Sequence, residues 1–334
     1  PNSPPARRRC KIIVIPDAST VSPARHRKAI TMLLVATFFW ASSFPIVKAL
    51  ALEQQKFVPA GSTWFFAMIG ALYRFGVAGL LLAVFLHREL LKITRLELEQ
   101  GFGLAAFGIG GILFQMDGLS YTAASTSAFL TQLYVAFIPV WVALVHQHLP
   151  SPKVIVSLAL VLVGLAILAD LDFKTFKLGR GEAETLMGSI LFGGQILMLE
   201  RPCYAANDPL RFSVVMFVFM ALFCVPGVGL TAPNAAACLR AFASPASLGF
   251  LAALVLVCTL GGYLFMNRWQ RDVTATEAGL IYCVEPVITS VLALFLPGLI
   301  SIWAGINYPN ETLTTRLLIG GGLVTAANVL LQKR

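Results

Sequence analysis

About ten stretches of mainly apolar residues, each roughly 20 long, follow one another along this chain with only short polar breaks between them. They fall at about 30–52, 63–86, 101–120, 123–147, 151–171, 184–204, 209–230, 247–267, 274–298 and 313–331. A helix needs roughly 20 apolar residues to cross the hydrocarbon core, so the pattern predicts a polytopic all-α membrane protein. Composition agrees. The chain is 57% hydrophobic and 12% charged, where a soluble domain is about half apolar and a quarter charged. Its mean hydropathy is +0.80.

The net charge of +9 is explained by topology without a nucleic-acid partner. With the N-terminus in the cytoplasm, 17 of the 25 Lys and Arg fall on the inside, seven fall outside, and Arg74 lies within a span. That asymmetry places both termini in the cytoplasm. Residues 1–29 are expected to form a disordered basic cytoplasmic tail whose RHRK stretch (25–28) anchors the first helix. An Arg- and Ser-rich, acid-poor leader also fits an organellar transit peptide. The breaks carry PSP (150–152), NDP (207–209), SP (244–245) and YPN (308–310). The six cysteines have no CxxC or zinc-type spacing.

The chain repeats itself. LYVAFIPVWVALV (133–145) parallels LIYCVEPVITSVL (280–292), FWASSFPIVK (39–48) parallels FGGQILMLER (192–201), and SLALVLVGLAIL (157–168) parallels GGGLVTAANVLL (320–331). The order is conserved between the halves, so residues 30–172 and 183–334 are read as two five-helix repeats. An odd number of crossings inverts the second repeat, an architecture with its binding site near the midplane.

Glu285 and Pro286 stand near the middle of one apolar stretch. An ionisable residue there costs about 2.5–3.5 kcal/mol, so it faces a cavity or a partner. Its helical face reads Ala278, Tyr282, Glu285, Thr289, small and polar as a lining wall is. Pro286 removes a backbone bond and is expected to kink the helix as a gating element, as is Pro139 at the matching place in the first half. Arg74 lies at similar depth. It either pairs with Glu285, contacts substrate, or does neither. Trp40, Ser42, Ser43, Gln115, Gln132, Gln195 and Tyr263 are further cavity candidates, with helix–helix hydrogen bonding as the plainer alternative. FGIGG (107–111) lacks the rest of a phosphate loop, and its Ala106 and Gly110 read as close packing. His146 and His148 point to different faces with no third ligand, so no metal is expected. Asn310-Glu311-Thr312 is a glycosylation sequon.

FFWASSFPIVK (38–48), YRF (73–75), GLSYTAASTSAFLTQLYVAFIPV (118–140) and TATEAGLIYCVEPV (274–287) together resemble the drug/metabolite transporter superfamily, specifically its EamA-type ten-helix members. The resemblance covers about residues 28–334. It departs from the family where a Gly-Glu pair usually precedes the fifth helix of each half. Glu311 fills that place in the second half, but His148 stands there in the first. The loop PGLISIWAGINYPN before Glu311 is also longer. The resemblance implies a secondary transporter, more often exporting than importing, in a bacterial cytoplasmic (inner) membrane. Its cavity would be walled by the first four helices of each half, with the fifth peripheral.

The expected partners are the lipid bilayer and a small-molecule substrate, an amino acid or other metabolite. A homodimer is compatible with this architecture. No cofactor and no catalytic residue is expected, for there is no HExxH, no GxSxG, no paired acids in one span and no nucleotide-binding motif. A membrane-embedded enzyme and a non-transporting membrane subunit are the competing classes.

Overall fold

A computed structural model describes residues 22–118, 121, 124–147, 149–169 and 178–332. Residues 1–21 of the expected tail, His148 and the segment 170–177 between the two expected repeats lie outside them. Among the described residues there is no strand.

The helices in chain order are α1 (Pro23–Phe57), α2 (Thr63–Phe85), α3 (His87–Leu90), α4 (Arg95–Gly118), α5 (Ala124–Thr131), α6 (Tyr134–His146), α7 (Pro152–Leu168), α8 (Arg180–Leu199), α9 (Pro209–Thr231) and α10 (Ala235–Arg240). They continue with α11 (Pro245–Ala253), a π-helical segment over Leu254–Gly261, α12 (Gly262–Trp269), α13 (Ala275–Tyr282), α14 (Glu285–Ala293), α15 (Leu296–Ala304) and α16 (Thr315–Gln332). Among the described residues, five helical segments are long and apolar enough to cross a membrane: Pro23–Phe57, Thr63–Phe85, Pro209–Thr231, Pro245–Asp272 and Ala275–Ala293. Shorter apolar helices run over Phe129–Val145, Pro152–Leu168 and Thr315–Leu330.

The breaks between apolar stretches are built as helix starts. Ser22, Ser62, Ser151, Asp208 and Ser244 each accept a backbone N–H of the first turn, and four of these caps are followed by proline. The hydroxyl or carboxylate satisfies a donor left over at the helix end, and proline has no N–H to leave over. Thr94 with Glu97, and Thr274 with Glu277, form reciprocal capping boxes.

The structure departs from the sequence reading in several places. Residues 23–29, read as disordered tail, are helical and belong to α1. The stretch expected at 101–120 begins at Arg95, where the Thr94 box starts it. The stretches expected at 123–147 and 274–298 are each broken, at Gln132–Leu133 and at Cys283–Val284. Part of the loop before Glu311 folds as α15. Ala106 is exposed, while Gly110, as expected, packs closely against Leu191 of α8, as do Gly108 and Gly111 against Gln195 and Phe192.

Packing sorts the helices into pairs. α2 lies along α9, α4 along α8 and α9, and α1 along α11, the π segment, α12 and α14. α7 and α16 pair with each other. A Cβ on Gly320 would stand 2.6 Å from the carbonyl oxygen of Gly164, and one on Gly164 would stand 2.8 Å from that of Gly320. The backbones meet there because neither residue has a side chain, the close approach that small residues permit between helices in lipid. Further along the seam, the Ser157 hydroxyl donates to the Ala327 carbonyl at 3.2 Å.

Candidate functional site

Three sequence-predicted residues meet as rings at the centre of the bundle. Trp40 of α1 is wedged edge-on between Tyr263 of α12 and Tyr282 of α13, with ring centroids 5.4 and 5.3 Å away. Tyr263 in turn touches Phe75 and Phe217. Edge-to-face contacts of this kind fix ring orientation. Trp40 reaches this place because residue 262 is glycine: a Cβ there would stand 2.4 Å from the indole nitrogen. The indole N–H is buried and has no acceptor among the described residues. The Tyr282 hydroxyl donates to Gln270 Oε1 at 2.9 Å, and Gln270 is held in place by donating to the Ile196 carbonyl.

Glu285 opens α14, immediately after the break at Cys283–Val284. Pro286 therefore occupies the first turn of a helix, where its missing N–H costs nothing, instead of bending a continuous one. Gln132 sits in the other break, between α5 and α6, and its Nε2 donates to Glu285 Oε2 at 3.3 Å. Helix breaks deep in a membrane protein are tolerated where they are buried in protein or line a cavity. Gln132 Oε1 is buried without a partner among the described residues. Of the expected face, Ala278 and Tyr282 are buried, while Glu285 is half-buried and Thr289 donates to the Ala41 carbonyl of α1 at 3.3 Å.

Arg74 does not pair with Glu285. Its Nε donates to Thr259 Oγ1 at 2.6 Å, and its guanidinium lies over the Phe75 ring. Thr259 belongs to the π segment and donates onward to the Leu254 carbonyl five residues back, a bond that the wider π turn makes available. Each charge is thus held by a neutral neighbour, with hydrogen-bonding capacity left over.

The other predicted residues scatter. Ser43 is half-buried. Ser42 donates to the Phe39 carbonyl and approaches Cys258. Gln115 donates to Thr131 at 3.0 Å, tying α4 to α5. Gln195 is buried and donates to the Leu104 carbonyl, tying α8 to α4. Pro139 is buried inside α6, which runs through it, and the break lies upstream at Gln132. The sequence reading missed Thr259, Gly262 and Gln270. The Gly261-Gly262 pair inside an apolar run was the available signal.

The two ends of the bundle are laced by ions. Where α1 begins, Arg25 meets Asp272 at 3.0 Å, His26 meets Glu277 at 3.4 Å and Arg211 meets Glu97 at 3.6 Å. Beside them, burial pushes the Glu200 carboxyl up to about 7, with Glu277 adding to the rise and a hydrogen bond from the Ala275 backbone opposing it. At the opposite end, the fully buried Asp117 accepts from Arg180 at 2.8 Å and from Thr63 at 3.1 Å. Arg180 also lies over the Tyr121 ring and pairs with Glu184.

Residues 27–169 match the EamA-like transporter family. An uncharacterized transporter of Archaeoglobus fulgidus is 27% identical over 196 residues, 58% of this chain and 56% of that protein. The match therefore spans little more than half the length of that curated relative. A solved structure, titled only as the crystal structure of a protein, aligns with a TM-score of 0.64 at 13% identity. It covers 91% of this chain and 96% of that one, a likeness of fold alone. The resemblance to EamA-type transporters is borne out over residues 27–169.

Proposed function

With the EamA-like match of residues 27–169 as premise, we propose that this chain is a secondary transporter that exports small organic metabolites by alternating access. Ten membrane helices, two of them broken, form two inverted five-helix repeats with both termini in the cytoplasm. The membrane is the bacterial cytoplasmic one. Helix pairing supports the inversion. Matching the halves by the repeats makes α2 equivalent to α9 and α7 to α16, and each pairs with its own equivalent. The α4–α8 and α1–α12 pairs exchange under the same operation. Position 157 matches 320 and 164 matches 327, so the contacts 157–327 and 164–320 are reciprocal, as about a two-fold axis.

One observation carries the substrate site: two opposite charges stand in mid-bundle without neutralising each other. Arg74 rests on Thr259 and Glu285 on Gln132, while the buried Trp40 N–H and Gln132 Oε1 lack partners among the described residues. A zwitterion such as an amino acid supplies a carboxylate for Arg74 and an ammonium for Glu285. Trp40, Tyr263 and Tyr282 would form the aromatic wall, and Ser43 a polar edge. Gln115 and Gln195 brace the wall rather than touch substrate. Pro286 and the break before α14 would provide the moving part, with the ion pairs at the two ends as alternately opened latches.

The test is export. Cells making wild type, Glu285→Gln or Arg74→Gln at matched membrane levels are loaded with mixed dipeptides, and amino acids in the medium are followed. Wild type is expected to accelerate release of one or a few compounds, and each variant to lose it about tenfold or more, the worth of a charge-assisted bond. Release unchanged by wild type would defeat the exporter reading. Release retained by both variants would defeat the site while leaving the exporter.

A further inference from the structure

At the end of the bundle where α1 begins, a recess of about 630 Å³ is lined by five arginines: Arg25, Arg201, Arg211, Arg268 and Arg271. Three carboxylates share it, and they are largely committed elsewhere. Asp208 caps the first N–H groups of α9. Asp272 takes Arg25 at 3.0 Å and Arg268 at 3.9 Å. Glu200, with its carboxyl raised to about 7, carries only part of a charge at neutral pH. Arg211 has Glu97.

Arg271 feels Asp272 and Asp208 at longer range, against burial and the charges of Arg268 and Arg25, and makes no close ion pair among the described residues; it donates to the carbonyls of Asn207 and Ala205. The Arg201 side chain has no partner among the described residues. Two guanidinium groups thus stand in a concavity without a close carboxylate partner among the described residues, and a planar fork of N–H donors matches the oxygens of a phosphate. Trp269 sets the depth: Lys28 and Arg268 both lie over its ring, and such a ring collects at headgroup level.

We propose that this recess binds a phosphate-bearing anion, through Arg201 and Arg271, apart from the central transport site. A phosphodiester headgroup of an anionic lipid and a free phosphate share this chemistry. Basic pockets on the cytoplasmic side of membrane proteins take such headgroups, each Arg or Lys contributing about a fivefold gain in affinity.

The experiment uses the full-length protein in neutral detergent and reads its thermal unfolding midpoint. Short-chain phosphatidylglycerol, short-chain phosphatidylcholine, and inorganic phosphate against chloride at matched ionic strength are titrated separately. A ligand that binds only the folded state raises the midpoint with concentration. Protection by phosphatidylglycerol beyond phosphatidylcholine, with about fivefold more lipid needed in Arg201→Gln, supports the lipid source. Protection by inorganic phosphate with the same loss in Arg201→Gln supports a free phosphate. Arg201 has no bond to lose, so this variant is expected to fold as wild type does. Arg271→Gln, which untethers the 205–207 turn, is the second variant. Equal titrations for wild type and both variants, or no protection by any phosphate, would overturn the proposal.

Discussion

Gly262 decides where Trp40 can be. A methyl group at residue 262 would meet the indole nitrogen at 2.4 Å, so Gly262→Ala forces the ring out of the slot between Tyr263 and Tyr282. Overpacking of this kind costs about 1–3 kcal/mol. Under the proposed function, the expected outcome is impaired export with a lowered unfolding midpoint. Gly70→Ala, where an added Cβ meets nothing within 4 Å, is expected to change neither.

Glu200 makes a different prediction at the same scale. Its carboxyl rises from 4.5 to about 7 in the folded protein. The native state therefore holds a proton that the unfolded chain has released between those values. The stability this gives is present below about pH 4.5 and is lost as pH climbs toward 7. Glu200→Gln removes the titration. The difference between wild-type and variant unfolding free energies should slope through that window by about 3 kcal/mol and flatten above it. A difference that does not vary with pH would contradict the burial of this carboxyl.

Among the elements, the seam between α7 and α16 is the most sharply determined. The two backbones touch through Gly164 and Gly320, and a side chain on either must push the helices apart. Gly320→Val is expected to lower the unfolding midpoint in detergent by an amount corresponding to about 1–3 kcal/mol. Gly322→Val, on a face where nothing lies within 4 Å, should leave it unchanged. The sequence announced most elements, because a bilayer imposes a length and a composition on whatever crosses it. Caps were legible too: Ser151-Pro152, Asp208-Pro209 and Ser244-Pro245 read as breaks and fold as helix starts. The interruptions inside the apolar runs were less legible. Pro286 marked the neighbourhood of the break at Cys283–Val284, but nothing local marks Gln132–Leu133, where the two backbone N–H groups donate three residues back, to Phe129 and Leu130. The π segment was hidden because Thr259 anchors it against Arg74, 185 residues away.

For the molecule as a whole, the sequence located the polar candidates without ranking them. Depth along a helix follows from counting residues, and it placed Trp40, Ser42, Ser43, Arg74, Gln115, Gln132, Gln195, Tyr263 and Glu285 at similar depth. Rotation about the helix axis does not follow so directly, which is why Gln195 proved to be turned toward the Leu104 carbonyl and Gln115 toward Thr131. Nor could counting say whether Arg74 would choose Glu285 or Thr259.

The α7–α16 seam has one more consequence, for assembly from pieces. It joins a helix that precedes residue 170 to one that follows residue 177, and α2–α9 and α4–α8 do the same. The covalent link across 170–177 would then be dispensable. Two polypeptides made separately in one cell, ending at 169 and starting at 178, should find each other in the bilayer and co-purify. The same pair carrying Gly320→Val should yield less of the complex.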